Sequence, residues 1–205
     1  MCTKSGNCKF RLSRQSGLSL IELVVFIVIV SVSIVGIFLV LNKATRTSAD
    51  PVARKQALAI AESLLEEIEL MPFTFCDPND ANAATATGAF VGAGGCATTV
   101  EAIGPTGGET RYSAATPFDN VDDYHGFTMN SGNGGIKDIT NTVLPALNSY
   151  SASVSVVAEA LGSIAATDAF GSAQSLRVTV TVTGPGNTTV TLDGYRTRYA
   201  PNATQ

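Results

Sequence analysis

The apolar run Leu18–Leu41 contains no Lys, Arg, Asp or Pro, and Glu22 is its one charged residue. As a helix rising about 1.5 Å per residue it measures about 36 Å, against about 30 Å of bilayer hydrocarbon. A carboxylate four residues inside such a segment costs several kcal/mol unless it reaches the interface or a counter-charge. The chain must therefore fold with one membrane-compatible helix and a reason to keep Glu22. A cleaved secretory signal has a shorter apolar core, about 7–15 residues, closed by an A-x-A-like site. Only Thr47–Ala49 faintly resembles that site. Lys4, Lys9, Arg11 and Arg14 precede the run, and Lys43, Arg46, Arg54 and Lys55 follow it. Counting positive charges therefore leaves orientation open.

The 205 residues divide into a basic stretch (1–17), the apolar segment (18–41), an amphipathic helix (42–71) and a globular remainder (72–205). Formal charge is −4, and −8 once the four positives of residues 1–17 are taken away. Such a balance lacks the basic footprint of nucleic-acid binding. Cys76 and Cys96 follow the apolar run. In an oxidising compartment their bond would close a loop and contribute about 3 kcal/mol by loop-closure entropy. Cys2 and Cys8 have no matching Cys/His set for zinc and carry no assigned chemistry.

Asp50 followed by Pro51 reads as a helix start, with a side-chain acceptor and then a preset φ. Leu58, Ala61, Leu65 and Ile68 recur at helical spacing, and Pro72 ends the pattern by Met71. Two helices meeting at Pro51 and one helix bent there both fit; a single bent helix is expected. Phe73–Tyr150, rich in Gly, Ala, Asn and Thr, reads as loops with short strands near Thr98–Ile103 and Gly126–Met129. Ser151–Ala160, Ser175–Thr183 and Thr188–Ala200 alternate apolar with polar, as half-buried strands do, and Gly184–Asn187 reads as a hairpin loop. The fold class is α+β: a long N-terminal helix packed by its apolar stripe on a C-terminal antiparallel sheet.

The stretch "SGLSLIELVVFIVIV" resembles the class III signal of type IV pilins and pseudopilins. It has a basic leader, Gly17, an apolar first mature residue and Glu at mature position five. The resemblance implies that prepilin peptidase cuts between Gly17 and Leu18 and methylates the new Leu18 amine. It also implies anchoring in the inner membrane with a periplasmic domain, then passage into a surface filament. "SADPVARKQALAIAESLLEEIE", "FTFCDP" and "FDNVDDYHGF" are similar to MshD-type minor pilins of the mannose-sensitive haemagglutinin (MSHA) pilus system. The wider resemblance covers residues 11–70. Leu18 replaces the commoner Phe or Met, and Leu39 stands where many major pilins carry a kinking proline. The cysteine pair lies just after the helix, whereas many pilins place theirs near the C-terminus; these departures point away from a major subunit.

In a staggered bundle, Glu22 of one subunit can meet the Leu18 amine of a neighbour, and low dielectric penalises either group alone. Glu22 also suits its own helix N-terminus, worth about 0.3–1 kcal/mol. Ser31, Ser33 and Gly36 fit either close helix approach or tolerated lipid-facing positions. The expected partners are other pilins through the N-terminal helix, the peptidase and the inner-membrane assembly machinery. A minor pseudopilin of a type II secretion system and a tip adhesin or ligand-binding pilin are the alternatives.

Asp119, Asn120, Asp122 and Asp123 gather enough oxygens for calcium, without the spacing of a calcium loop. The same residues suit a turn whose carboxylates bond local amides. No other cofactor is implied. His125 is the one histidine, and the hydrolase and metalloprotease motifs are absent, so no enzymatic site assembles from sequence. "GAGGCA" (Gly92–Ala97) formally matches a dinucleotide fingerprint, but β-prone residues follow where a helix must begin.

Overall fold

The computed structural model describes Gly17 and Ser19–Asn202, and of residues 43–50 the backbone alone. One helix, α1 (Leu20–Glu69), carries Pro51 inside it, so one helix rather than two connects the apolar segment to the globular part. Two compact units divide between Thr47 and Ser48. The first holds the apolar part of α1.

In the second unit, strands β1 (Thr128–Met129), β2 (Ser151–Ala158), β3 (Ser175–Gly184) and β4 (Thr188–Thr197) form one antiparallel sheet in the order β1-β2-β3-β4. Val154 faces Val180, and Val180 faces Leu192 across the ladder. The even-numbered residues thus line one apolar face, and Ala57, Ala61, Leu64 and Ile68 of α1 join their core. The α+β layout expected from the pattern is present. The odd-numbered residues make a Ser/Thr face, where Thr179 donates to Asp193 at 2.5 Å and Ser151 meets Thr183 at 2.7 Å. At Gly194 a Cβ would run into the Glu69 carboxylate and lie 3.0 Å from Leu65 Cδ1. Only a residue without a side chain lets the helix pass the sheet this closely.

The buried helical face differs from the expected stripe. Ala61 and Ile68 are buried as anticipated, but Ala57 and Leu64 complete the face while Leu58 is 36% exposed and Leu65 only partly buried. Both stripes have helical spacing; the sheet chooses between them.

The long connection from Phe73 to Tyr150 is held by specific bonds in place of regular structure. Cys76 and Cys96 are disulfide-bonded, with Cα atoms 5.5 Å apart, and bury Ala83 and Ala86 beside them. Asp80 accepts from the amides of Ala97, Thr98 and Thr99 at 2.8–2.9 Å, from the Asn82 amide and from Thr98 Oγ1. These donors, led by the Thr99 amide, hold its carboxyl well below the usual range. They also explain why the strand expected near Thr98–Ile103 is absent. Those amides serve Asp80, and pairing shrinks to the single bridge Cys76↔Val100. The strand expected near Gly126–Met129 forms, as β1. The hairpin loop Gly184–Asn187 is confirmed, with a short 3-10 turn at Pro185–Asn187.

Candidate functional site

Leu20–Asn42 is long and apolar enough to cross a membrane, and none of it is buried. A membrane anchor and a signal sequence both have this character. Glu22 lies in the first turn, where its amide and that of Leu23 donate to the Ser19 carbonyl at 3.0 and 3.1 Å. Gly17 is exposed, while Leu18 and residues 1–16 lie outside the described residues, Cys2 and Cys8 among them. Ser31 and Ser33 donate back to the carbonyls of Ile27 and Ile29, both at 2.7 Å. Such bonds satisfy a hydroxyl in apolar surroundings without any neighbouring chain. A Cβ at Gly36 would meet open space.

The second concentration of functional groups is acidic and belongs to the second unit. Asp122, Asp123 and Tyr124 form a buried 3-10 turn. Asp123 Oδ2 accepts the amides of Asp119 and Asn120 at 3.0 and 2.8 Å, so the carboxylate closes its own turn. Asn120 is fully committed elsewhere: it donates to Thr74 Oγ1 at 2.8 Å and accepts the Val121 amide. Asp122 faces Arg198, whose charge opposes the upward shift that burial imposes on it, to about 7. The four residues singled out by sequence therefore separate. Asn120 and Asp122 stand apart, and Asp119 groups with Asp77 and Glu109, their ligand atoms within 4.8 Å of one another.

Burial raises Asp119 to about 6, aided by the charges of Glu109 and Asp77. Glu109 and Asp123 lie within hydrogen-bonding reach, and burial pushes both upward. Glu109 is raised further by Asp123, so two full negative charges are disfavoured on this pair. Glu101, 7% exposed, is pushed up to about 10 by burial and by the charges of Asp122, Asp123, Glu109 and Asp77. Local spacing gave no sign of Asp77, Glu101 or Glu109. The turn chemistry of "DPND" is the one signal that could have drawn attention to Asp77: the Asn79 amide donates to its Oδ1 at 2.7 Å.

Two further pairs tie this region to α1. Arg111 grips Glu67 through two bonds, at 2.7 and 2.5 Å, and Tyr124 donates to the same carboxylate at 2.8 Å. Burial opposes the Arg111 charge, and the Glu67 carboxylate more than offsets it, leaving the guanidinium above its ordinary value. Arg198 stacks over Phe73 and Phe75, 3.8 and 4.8 Å from the ring centroids, and burial lowers it to about 10. His125 Nδ1 accepts the Val156 amide at 3.1 Å, which ties the turn to β2. Gly92–Cys96 closes the disulfide-bonded loop, and no helix follows Ala97, as expected. Comparison with protein-family models, with curated proteins and with solved structures finds no match.

Proposed function

We propose that this chain is a minor pilin-like structural subunit of a type IV, MSHA-like pilus. It is made as an inner-membrane precursor with a periplasmic globular domain and is processed by prepilin peptidase between Gly17 and Leu18. The observation that carries this reading is a single helix with two environments. Its first part has no buried residue and carries Glu22 as its one charge, and its last turns complete the core of an antiparallel sheet. A helix of that kind suits storage in a bilayer and later burial among copies of itself. The cysteine bond just after the helix suits an oxidising compartment.

Glu22 then meets the Leu18 amine of an adjacent subunit, and the apolar surroundings make that pairing decide register. Mass spectrometry of membrane-extracted protein tests the first step; it should begin at an N-methylated Leu18. A mature chain that keeps residues 1–17, or begins near Asp50, would falsify the reading. For the second step, Glu22→Ala protein is expected to be processed and stable yet to enter filaments at least about tenfold less, equivalent to about 1.4 kcal/mol. Normal incorporation of that variant removes the intersubunit role.

A further inference from the structure

We propose that the cavity lined by Asp122 and Arg198 binds a free α-amino acid with a short apolar side chain. The cavity measures about 390 Å³, within the range of about 300–1,000 Å³ usual for ligand sites. The Gly104 amide donates to the Asp122 carbonyl at 3.0 Å, which sets the segment carrying Glu101 beside the buried 3-10 turn. Arg198 follows β4, and its amide donates to the Gln174 carbonyl at 3.0 Å. The rim is a loop that Asp168 Oδ1 ties together by accepting the amides of Phe170 and Ser172 at 2.8 and 2.9 Å.

Two opposite charges line this space without meeting. Asp122 is 2% exposed, and its Oδ1 is sealed from solvent without a hydrogen-bond partner. Oδ2 is the oxygen left to face the cavity. Arg198 donates through Nε to the Ala173 carbonyl at 2.8 Å and through Nη1 to the carbonyls of Phe73 and Thr74. Its Nη2 remains for a ligand. Asp122 and Arg198 feel each other's charge, yet among the described residues they form no ion pair.

Buried charges demand a counter-charge or a strong hydrogen-bond partner. A metal cation would satisfy Asp122 and repel Arg198, and a simple anion would do the reverse. A zwitterion satisfies both: its ammonium donates to Asp122, and its carboxylate accepts from Arg198. Glu101 also lines the cavity and leaves this balance intact, because burial pushes its carboxyl up to about 10 and keeps it neutral below that pH. Uncharged hydroxyl ligands offer bonds about half as strong as those between charged groups. Much of the remaining lining is apolar, with Val100, Ile103 and Ala173 inside and the exposed ring of Phe170 at the rim. A short aliphatic side chain covers that surface. The site lies outside α1 and does not depend on the pilin reading.

Calorimetry on full-length protein in detergent micelles at pH 8 tests the site with L-alanine, L-valine and L-leucine. One molecule per chain is expected for at least one of them, with Kd of about 1 mM or tighter. Isobutylamine and isovalerate keep valine's side chain with one charge each, and both should bind at least about tenfold more weakly than valine. Asp122→Asn should weaken the amino acid about tenfold or more, and Phe170→Ala about threefold, whereas Asp193→Asn on the Ser/Thr face of the sheet should change nothing. If Asp122→Asn fails to fold, the analogue series on the wild type still decides. Absence of heat with all three amino acids up to about 20 mM overturns the proposal. So does binding of either single-charge analogue as tight as valine, tighter binding of methyl α-glucoside, or full retention of binding by Asp122→Asn.

Discussion

Glu101 makes no side-chain hydrogen bond through its buried Oε1, and four acids, Asp122, Asp123, Glu109 and Asp77, outweigh the one nearby cation, Arg198. Its folded-state value, about 10, stands above the ordinary 4.5, so the folded form holds a proton that the unfolded chain has already released. Its stability contribution is therefore complete below pH 4.5 and is lost as pH rises towards 10, at about 1.4 kcal/mol per pH unit. Glu101→Gln should flatten the fall in Tm between pH 5 and 9 and make the protein more stable than wild type at pH 8. An unchanged slope would place the titrating group elsewhere. The gathering of acids around Glu101 was not legible in the sequence. Asp77, Glu109 and Asp123 are far apart along the chain, and the loops that unite them have no periodicity to read. The Asp123 turn was legible, because a carboxylate bonding amides a few residues back is a local affair.

At the scale of elements, β2, β3 and β4 were readable to within a few residues, because alternating Val and Ser/Thr has one period and one consistent face. The face of α1 was readable only in part. Ala61 and Ile68 belong to either apolar stripe, and the choice of Ala57 and Leu64 over Leu58 and Leu65 comes from the sheet. Leu64→Ala is accordingly expected to cost about 2–5 kcal/mol and Leu58→Ala under about 1 kcal/mol, measured by denaturant unfolding. Equal losses would mean that the helix packs through the stripe expected from spacing.

For the molecule as a whole, the division between Thr47 and Ser48 has an experimental consequence. Every residue of the main core lies between Ala57 and Val190, and Cys76–Cys96 closes its loop within the same unit. A chain beginning at Ser48 should therefore stay in solution without detergent, melt in one cooperative step and keep its disulfide, as calorimetry and thiol titration would show. Aggregation, or a melt without a transition, would mean that the apolar part of α1 supports the fold. That part also has a property set by its serines. Because Ser31 and Ser33 spend their hydrogens on their own backbone, they have no donor left for an adjacent chain. A nearly featureless greasy cylinder can slide and spin against its neighbours at little cost, so on the proposed reading depth and rotation are indexed by a single landmark near one end, Glu22.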